Sequence, residues 1–366
     1  MIRDFAESQF VFVSSRTGRV MGRVERRMLR VMAALLDRKA GVHVICPPRS
    51  PLGEAATAAG AEVATYHLDK LNVARTRSRI RKYLERHRPV AIHSMGYDAD
   101  MLARWAAKGL TTASINTLTC SSWPPDGFVR RILDSRSLGQ ADAIICDCRA
   151  LEARLREAGV LEDRILIDPP SIDVPAVISQ AEENIEVPQV HGAMIGYGGR
   201  IEESRGLDQL VAASAILDAR GVLAQVVIAG EGPLLKSLQD EVRSSRVKYL
   251  GWVDSVPAVV KRFEVAVFPS TGSGVPTSLL EAAVLARPIV ASRVEGIDEL
   301  FEDRAEIRLV EPGDPRALAA AIADVVANPE EARRMALAAQ SRTVDEYSAL
   351  ASIDRHLALY KELMKR

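Results

Sequence analysis

Short runs of β-branched and other apolar residues recur along the chain, each followed by a longer stretch with helical spacing. A run that is apolar at every position suits a strand buried on both faces, and its alternation with helical stretches predicts repeated βα units and parallel sheets. In the first half the expected strands are 10–15, 42–48, 61–68, 90–95, 112–117 and 143–148, with helical segments such as 75–88, 99–108 and 149–158 between them. FVFVSS (10–15) runs into a loop bearing Gly18 and Gly22, then into an amphipathic helix, VERRMLRVMAALLDRK. ILIDPPSID (165–173) closes this half with a proline pair. The stretch 174–192 is polar, proline-containing and weakly periodic, the pattern of a linker. A second series of strands follows at 193–199, 224–230, 247–252, 265–270, 288–292 and 307–311, with helices near 207–219, 233–243, 278–286 and 315–326. The expected fold is α/β: two doubly wound domains, 1–173 and 193–344, facing each other across a cleft into which strand C-termini and helix N-termini point. An amphipathic helix at 345–366 is placed to cross back onto the first domain.

At 366 residues the chain suits two domains of roughly 180. Its 48% hydrophobic and 26% charged content is that of a folded globular protein and excludes a disordered one. No apolar run approaches the ~20 residues that span a bilayer, and the opening residues lack a signal peptide's apolar stretch, so a cytoplasmic protein is expected. Cys46, Cys120, Cys146 and Cys148 show neither a CxxC pair nor zinc spacing, which fits reduced structural thiols. Alternation in AIICDC puts Cys146 and Cys148 on one side of a strand.

Net charge is zero but unevenly spread: residues 1–180 hold 27 Lys and Arg against 20 Asp and Glu, a net +7, and the remainder nets −7. Arginines between 16 and 30 and between 75 and 88 supply much of the excess. Such runs are ordinarily solvated helix faces. Their functional reading is a surface for anionic lipid head groups at the inner face of a membrane, or for a phosphate-bearing acceptor. Nucleic acid is not an expected partner, and the oligomeric state stays open.

Three strand-to-helix junctions in the second half carry candidate chemistry. At the first, Gly198, Gly199 and Arg200 end a strand, and Arg205 and Gly206 precede a helix. Glycine admits close backbone approach, and two guanidiniums offer forked donors to phosphate oxygens. A glycine-rich turn with two solvent-facing arginines gives the same pattern. At the second, Gly230-Glu231-Gly232-Pro233 turns a strand into a helix, and Pro233 at a first helical position accounts for much of that without a ligand. At the third, within FPSTGSGVPTSLLEAAVLARPIVAS (268–292), the loop Ser273, Gly274, Val275, Pro276 leads to a helix starting near Thr277 and Ser278. Exposed N–H groups and the dipole there suit an anion. Glu281, about one turn inside, can accept hydrogen bonds from two neighbouring hydroxyls, such as those of a ribose; it can equally just complement the dipole.

GGRIEESRGLDQLVAA, IAGEGPLLKSL, YLGWVDS and FPSTGSGVPTSLLEAA, in that order and spacing, resemble the family 4 glycosyltransferases, retaining enzymes with the GT-B fold of two Rossmann-like domains. VHVICPPRSPL, ADAIICDCRALEARL and ILIDPPSID are similar to that family's N-terminal landmarks, so the resemblance covers essentially the whole chain. It implies transfer of a hexose from a nucleotide sugar to a glycan, glycolipid or small-molecule acceptor. The implied donor-binding set is Gly18, Gly22, Gly199, Arg200, Arg205, Gly230, Ser273, Gly274, Val275, Pro276, Thr277, Ser278 and Glu281. Within it, Arg200 and Arg205 would neutralise the diphosphate and stabilise the charge left on its oxygen, and Glu281 would bind the ribose. No bound metal or other cofactor is implied; the nucleotide sugar is a substrate. UDP is the family's commonest nucleotide, with GDP and ADP open. His93, one of six scattered histidines, reads as a cleft or core group.

Four positions depart from the family pattern. Ser273 stands where the first of two glutamates separated by seven positions is usual, the second being Glu281. Arg205 replaces a lysine, Asn116 occupies the place of a cleft histidine near the reacting sugar, and Arg23 replaces a glycine in GRVE (22–25). By the resemblance Asn116 joins Arg200 and Arg205 as a catalytic candidate. Two explanations compete: an active transferase with an unusual sugar or acceptor, and a weak or inactive protein that binds nucleotide sugar or supports a partner enzyme. A nucleotide-sugar epimerase would need cleft acids and bases that the sugar side lacks. An NAD enzyme is disfavoured because no GxGxxG follows the first strand.

Overall fold

FVFV (10–13) and VVIA (226–229) are apolar at every position because helices cover both faces of the sheets they enter. In the computed structural model, which describes residues 4–17, 21–66, 73–120, 123–125, 127–241 and 246–365, these strands form two all-parallel sheets. The first contains β1 (Gln9–Ser14), β2 (Gly41–Cys46), β3 (Glu62–Thr65), β4 (Ala91–Met95), β5 (Ala113–Leu118), β6 (Ala143–Cys146) and β7 (Ile165–Ile167). Its order is β3-β2-β1-β4-β5-β6-β7. The second contains β8 (Ala193–Gly198), β9 (Ala224–Ala229), β10 (Val247–Gly251), β11 (Val265–Phe268), β12 (Ile289–Ser292) and β13 (Arg308–Val310), in the order β10-β9-β8-β11-β12-β13. Strand order reverses between β1 and β4 and between β8 and β11, the switch points outside whose carboxyl ends such sheets bind ligands.

Two units result, residues 1–169 with 349–366, and residues 170–348. The stretch expected as a linker, 174–192, is partly helical: Asp173 caps Val174–Ala181 through the Ala176 N–H, Pro175 sits in the first turn, and Val177 and Ala181 are buried. Eight residues with a proline carry too little periodicity to reveal such a helix. β7 was likewise hidden in the sequence, being three residues long and only half-buried at the sheet edge.

The helix Ala349–Met364 belongs to the first unit, although it ends the sequence. Leu357, Tyr360 and Leu363 pack with Phe10, Met28 and Ile145. Beneath them lies a buried polar network. Tyr360 Oη is 2.7 Å from His93 Nδ1, whose Nε2 is 2.7 Å from Thr117 Oγ1. Asp168, fully buried beyond β7, accepts from Arg27 Nη1 at 2.9 Å, Arg355 Nε at 2.7 Å and Ser352 Oγ at 2.7 Å. Burial opposes the Asp168 charge, yet Arg27, His356 and Arg355 together hold its carboxyl below the ordinary value. Burial also drives the His356 imidazole down to about 4, and that of His93 well below the usual range. His93 is therefore a core group.

Candidate functional site

All three expected junctions of the second unit lie at carboxyl ends of neighbouring strands, and they touch one another. Gly199 (φ +141°) follows β8 and Gly230 (φ +129°) follows β9. A Cβ on Gly230 would fall 1.9 Å from the Gly199 carbonyl oxygen, and one on Gly206 would fall 2.1 Å from that of Pro269. The glycines are thus fixed first by loop-on-loop packing. Ile201 N–H donates to the Glu231 carbonyl at 2.9 Å, and Thr271 N–H to that of Ser204 at 3.0 Å, which locks the three loops together. Pro233 does not open its helix; that helix begins at Leu235.

Arg200 leaves this cluster with its side chain 78% exposed, whereas that of Arg205 is 19% exposed. Tyr197 Oη donates to the Arg200 carbonyl at 2.8 Å and so pins the backbone between the two arginines. Arg205 Nη2 donates to Glu202 Oε1 at 2.9 Å, while its Nη1 is buried without a hydrogen-bond partner among the described residues. Burial pushes the Tyr197 phenol up despite nearby Arg205, so it stays a neutral donor. Glu202, which shares itself between the arginines, was not singled out in the sequence; its only signal was an acid between two basic residues.

The third junction places Ser273 and Gly274 (φ +98°) before the helix Thr277–Val284. The cap residue, Pro276, gives the helix no side-chain cap, and its carbonyl accepts the Leu279 N–H at 3.1 Å, which leaves the Thr277 and Ser278 N–H groups as the candidate donors to an anion. Ser278 is buried, and its Oγ lies 3.2 Å from where a Gly199 Cβ would be. Glu281 projects from the second turn and is half-buried. Hence Gly199, Arg200, Arg205, Gly230 and the 273–281 segment are brought together in one unit. Gly18 lies outside the described residues.

In the first unit, Gly22 precedes the helix Arg23–Asp37 and donates its N–H to Glu25 Oε2 at 2.7 Å. A cavity of about 500 Å³ opens here at the carboxyl ends of β1, β4 and β5, lined among others by Arg16, Arg23, Glu25, Thr117 and Thr119. Asn116 does not reach it. Side chains alternate along β5, and Asn116 points to the opposite face, fully buried. There its Nδ2 donates to Ser94 Oγ at 2.7 Å, and Ser94 Oγ donates to Asp100 at 2.7 Å, a carboxyl that burial pushes up to about 7. Thr117 and Thr119 occupy the cavity face that Asn116 was expected to line.

The cysteine strand reading changes as well: β6 stops at Cys146, and Cys148 Sγ instead caps the helix Arg149–Glu157 by accepting from Leu151 N–H at 3.4 Å. Cys120, Asp147 and Cys148 hold potential ligand atoms within 4.8 Å of one another. Asp147 is already engaged by the Cys120 N–H at 2.8 Å and by Arg23 Nη2 at 3.4 Å, contacts that tie these loops together. Among the described residues no helix is long and apolar enough to cross a membrane.

Two parallel-sheet α/β units with loops gathered at their strand ends have the architecture of the GT-B class. Solved structures show the same fold. The UDP complex of Anabaena Alr3699/HepE matches with TM-score 0.80 and 16% identity, over 97% of this chain and 100% of that one. A glycosyltransferase of Rickettsia africae ESF-5 matches with TM-score 0.80 and 14% identity, over 98% of this chain and 99% of that one. Among sequence families, the model for "Glycosyl transferases group 1" matches residues 192–328, and that for the "Glycosyl transferase 4-like domain" matches residues 22–170. The chain belongs to the GT-B glycosyltransferase family that these two models describe. Its curated relatives include the alpha-D-kanosaminyltransferase of Streptomyces kanamyceticus, 31% identical over 46% of this chain and 45% of that one. Another is the 2-deoxystreptamine N-acetyl-D-glucosaminyltransferase of Streptomyces fradiae, 30% identical over 54% and 50%. The chain thus matches about half the length of these relatives.

Proposed function

We propose that the protein transfers a hexose, with retention at the anomeric carbon, from a nucleotide-sugar donor to a hydroxyl of a glycan, glycolipid or small-molecule acceptor. The observation that carries this reading is the convergence of Gly199, Arg200, Arg205 and the uncapped start of the helix Thr277–Val284 in one unit. In the reaction the bond from the sugar's anomeric carbon to the diphosphate breaks, the acceptor oxygen bonds to that carbon, and the hydroxyl proton is released. Negative charge gathers on the leaving phosphate oxygen. Arg200 and Arg205 stabilise it more as it develops than in the bound donor, which lowers the barrier. These cations supply the role a metal would otherwise fill, so no resident metal is invoked. Glu281 accepts from the ribose hydroxyls, and Ser273, Gly274 and Val275 face the sugar and phosphates. UDP is the first donor nucleotide to test: Alr3699/HepE was crystallised with UDP and with UDP-glucose.

Polysaccharide or glycolipid assembly is the setting we favour, in line with the glycogen synthase of Mycobacterium tuberculosis and the lipopolysaccharide core glycosyltransferase LpsE of Rhizobium meliloti among the relatives. The cavity bearing Arg16 and Arg23 is our candidate acceptor seat, and the arginine-rich outer face of the helix Val73–His87 our candidate for contact with anionic head groups. Ser273, which lacks the acid of the family pattern, favours a second reading: a protein that binds nucleotide sugar without turning it over.

Calorimetry with UDP, GDP, ADP and their sugar conjugates tests the site. Arg200→Ala and Glu281→Ala should each weaken binding of the recognised nucleotide by about 10- to 100-fold; normal binding by both variants refutes the assignment. Donor turnover with and without acceptors separates transferase from silent binder.

A further inference from the structure

We propose that Glu202 is a specificity-determining residue that acts as an internal counter-anion, occupying the two arginines until a diphosphate displaces it. The proposal rests on the reading of Arg200 and Arg205 as the diphosphate seat. One carboxylate serves both guanidiniums: Glu202 Oε1 is 2.9 Å from Arg205 Nη2, and Oε2 is 3.6 Å from Arg200 Nε. Ser204 Oγ donates to the same Oε1 at 3.3 Å. The carboxylate is held locally, since Glu202 is the residue from which the short turn Glu203–Arg205 starts and its carbonyl accepts the Arg205 N–H at 2.9 Å. It has not been buried away from ligands, being 28% exposed beside an Arg205 whose remaining Nη1 is already inside the protein.

A carboxylate in this place has two effects of opposite sign. It orients Arg205, which favours binding, and it cancels one of two positive charges, which opposes the binding of any anion. Geometry decides between them. Arg205 is also oriented by its own burial, by the left-handed Gly206 that ends the turn and by the packing of that turn under Pro269. Orientation is therefore secured without Glu202, and the charge effect is what remains. When a diphosphate enters, the arginines exchange one carboxylate for several phosphate oxygens, and the carboxylate swings to solvent. When the nucleoside diphosphate leaves, Glu202 takes the arginines back. A ligand with one weak negative charge gains little from that exchange, whereas a diphosphate gains most. Glu202 thus selects for highly charged donors and speeds release of the diphosphate product.

The test is binding of UDP, GDP and ADP, by calorimetry and stopped flow, to the wild-type protein and to Glu202→Gln and Glu203→Gln. Glutamine keeps the size of residue 202 and removes the charge. Glu203 is exposed and, among the described residues, forms an ion pair with neither arginine, so its variant measures the general loss of one negative charge. Expected for Glu202→Gln is about tenfold tighter binding of the recognised nucleotide through slower dissociation, against under about twofold for Glu203→Gln. Affinity that is unchanged or weaker in Glu202→Gln, or an equal gain in both variants, overturns the proposal while leaving the site intact. Wild-type protein that binds none of the three nucleotides overturns the diphosphate reading itself, and this proposal with it.

Discussion

A single side chain in this protein is often explained by the loop beside it. Gly230 illustrates this: with φ at +129° and the Gly199 oxygen 1.9 Å from any added Cβ, Gly230→Ala must push two site loops apart. We expect it to cost about 1–3 kcal/mol of stability and to weaken nucleotide binding together, read by thermal melts and calorimetry. Asn116→Ala should behave differently. It removes the hydrogen bond to Ser94 in the interior of the first unit, so about 1–2 kcal/mol of stability is lost while nucleotide affinity stays at the wild-type value. An affinity change would place Asn116 in the site after all. The three candidate junctions were legible at this scale, because glycines lie at or just past the end of a strand in each of them. Asn116 was misread because one step along a strand reverses the face, and no sequence pattern fixes that register. Glu202 escaped notice because its meaning lies in two pairings that only a folded turn creates.

Among the elements, the long apolar strands announced themselves, since helices on both sheet faces demand continuous hydrophobic runs. β7 and the helix Val174–Ala181 did not: both are short, β7 runs into the Pro169–Pro170 pair, and the helix carries Pro175 in its first turn. Amphipathic spacing alone could suggest that the last helix returns to the first unit; its polar contacts could not be foreseen. Tyr360 reaches His93, and Ser352 and Arg355 reach Asp168, across long sequence separations. Leu357→Ala should cost about 2–5 kcal/mol by opening a cavity against the helix Arg23–Asp37. Asp168→Asn should also destabilise the first unit, because it leaves Arg27 buried without its partner charge. Chemical denaturation, with tryptophan fluorescence as one probe, checks both; a variant as stable as the wild type would remove that contact from the account.

For the molecule as a whole, the response to acid is set in the first unit, where His93, Asp100, Asp168 and His356 are buried. His356, ordinarily near 6.5, titrates at about 4 in the folded first unit, so between those values the unfolded chain binds a proton that the folded chain refuses. Acidification from 6.5 to 4 should therefore remove about 3 kcal/mol of stability through His356, with His93 acting in the same direction. Asp168, held low, keeps its contribution until the pH falls through the ordinary carboxylate range. Asp100, pushed up to about 7 by burial, works in the opposite direction over the same range, because the folded chain takes up its proton before the unfolded one does. The His356 contribution is therefore read as a difference: calorimetric melts of His356→Gln should lose less stability between pH 6.5 and 4 than those of the wild type.

The discontinuity of the first unit also sets an order of events during synthesis. A ribosome delivers residues 170–348 before it delivers 349–366, so every residue of the second unit is available while the first still lacks its last helix. The unit that emerges first is thus the last to be finished. In that interval Phe10, Met28 and the Asp168 carboxyl have no cover from Tyr360, Leu363 or Arg355, and a nascent chain in this state is open to chaperones and proteases alike.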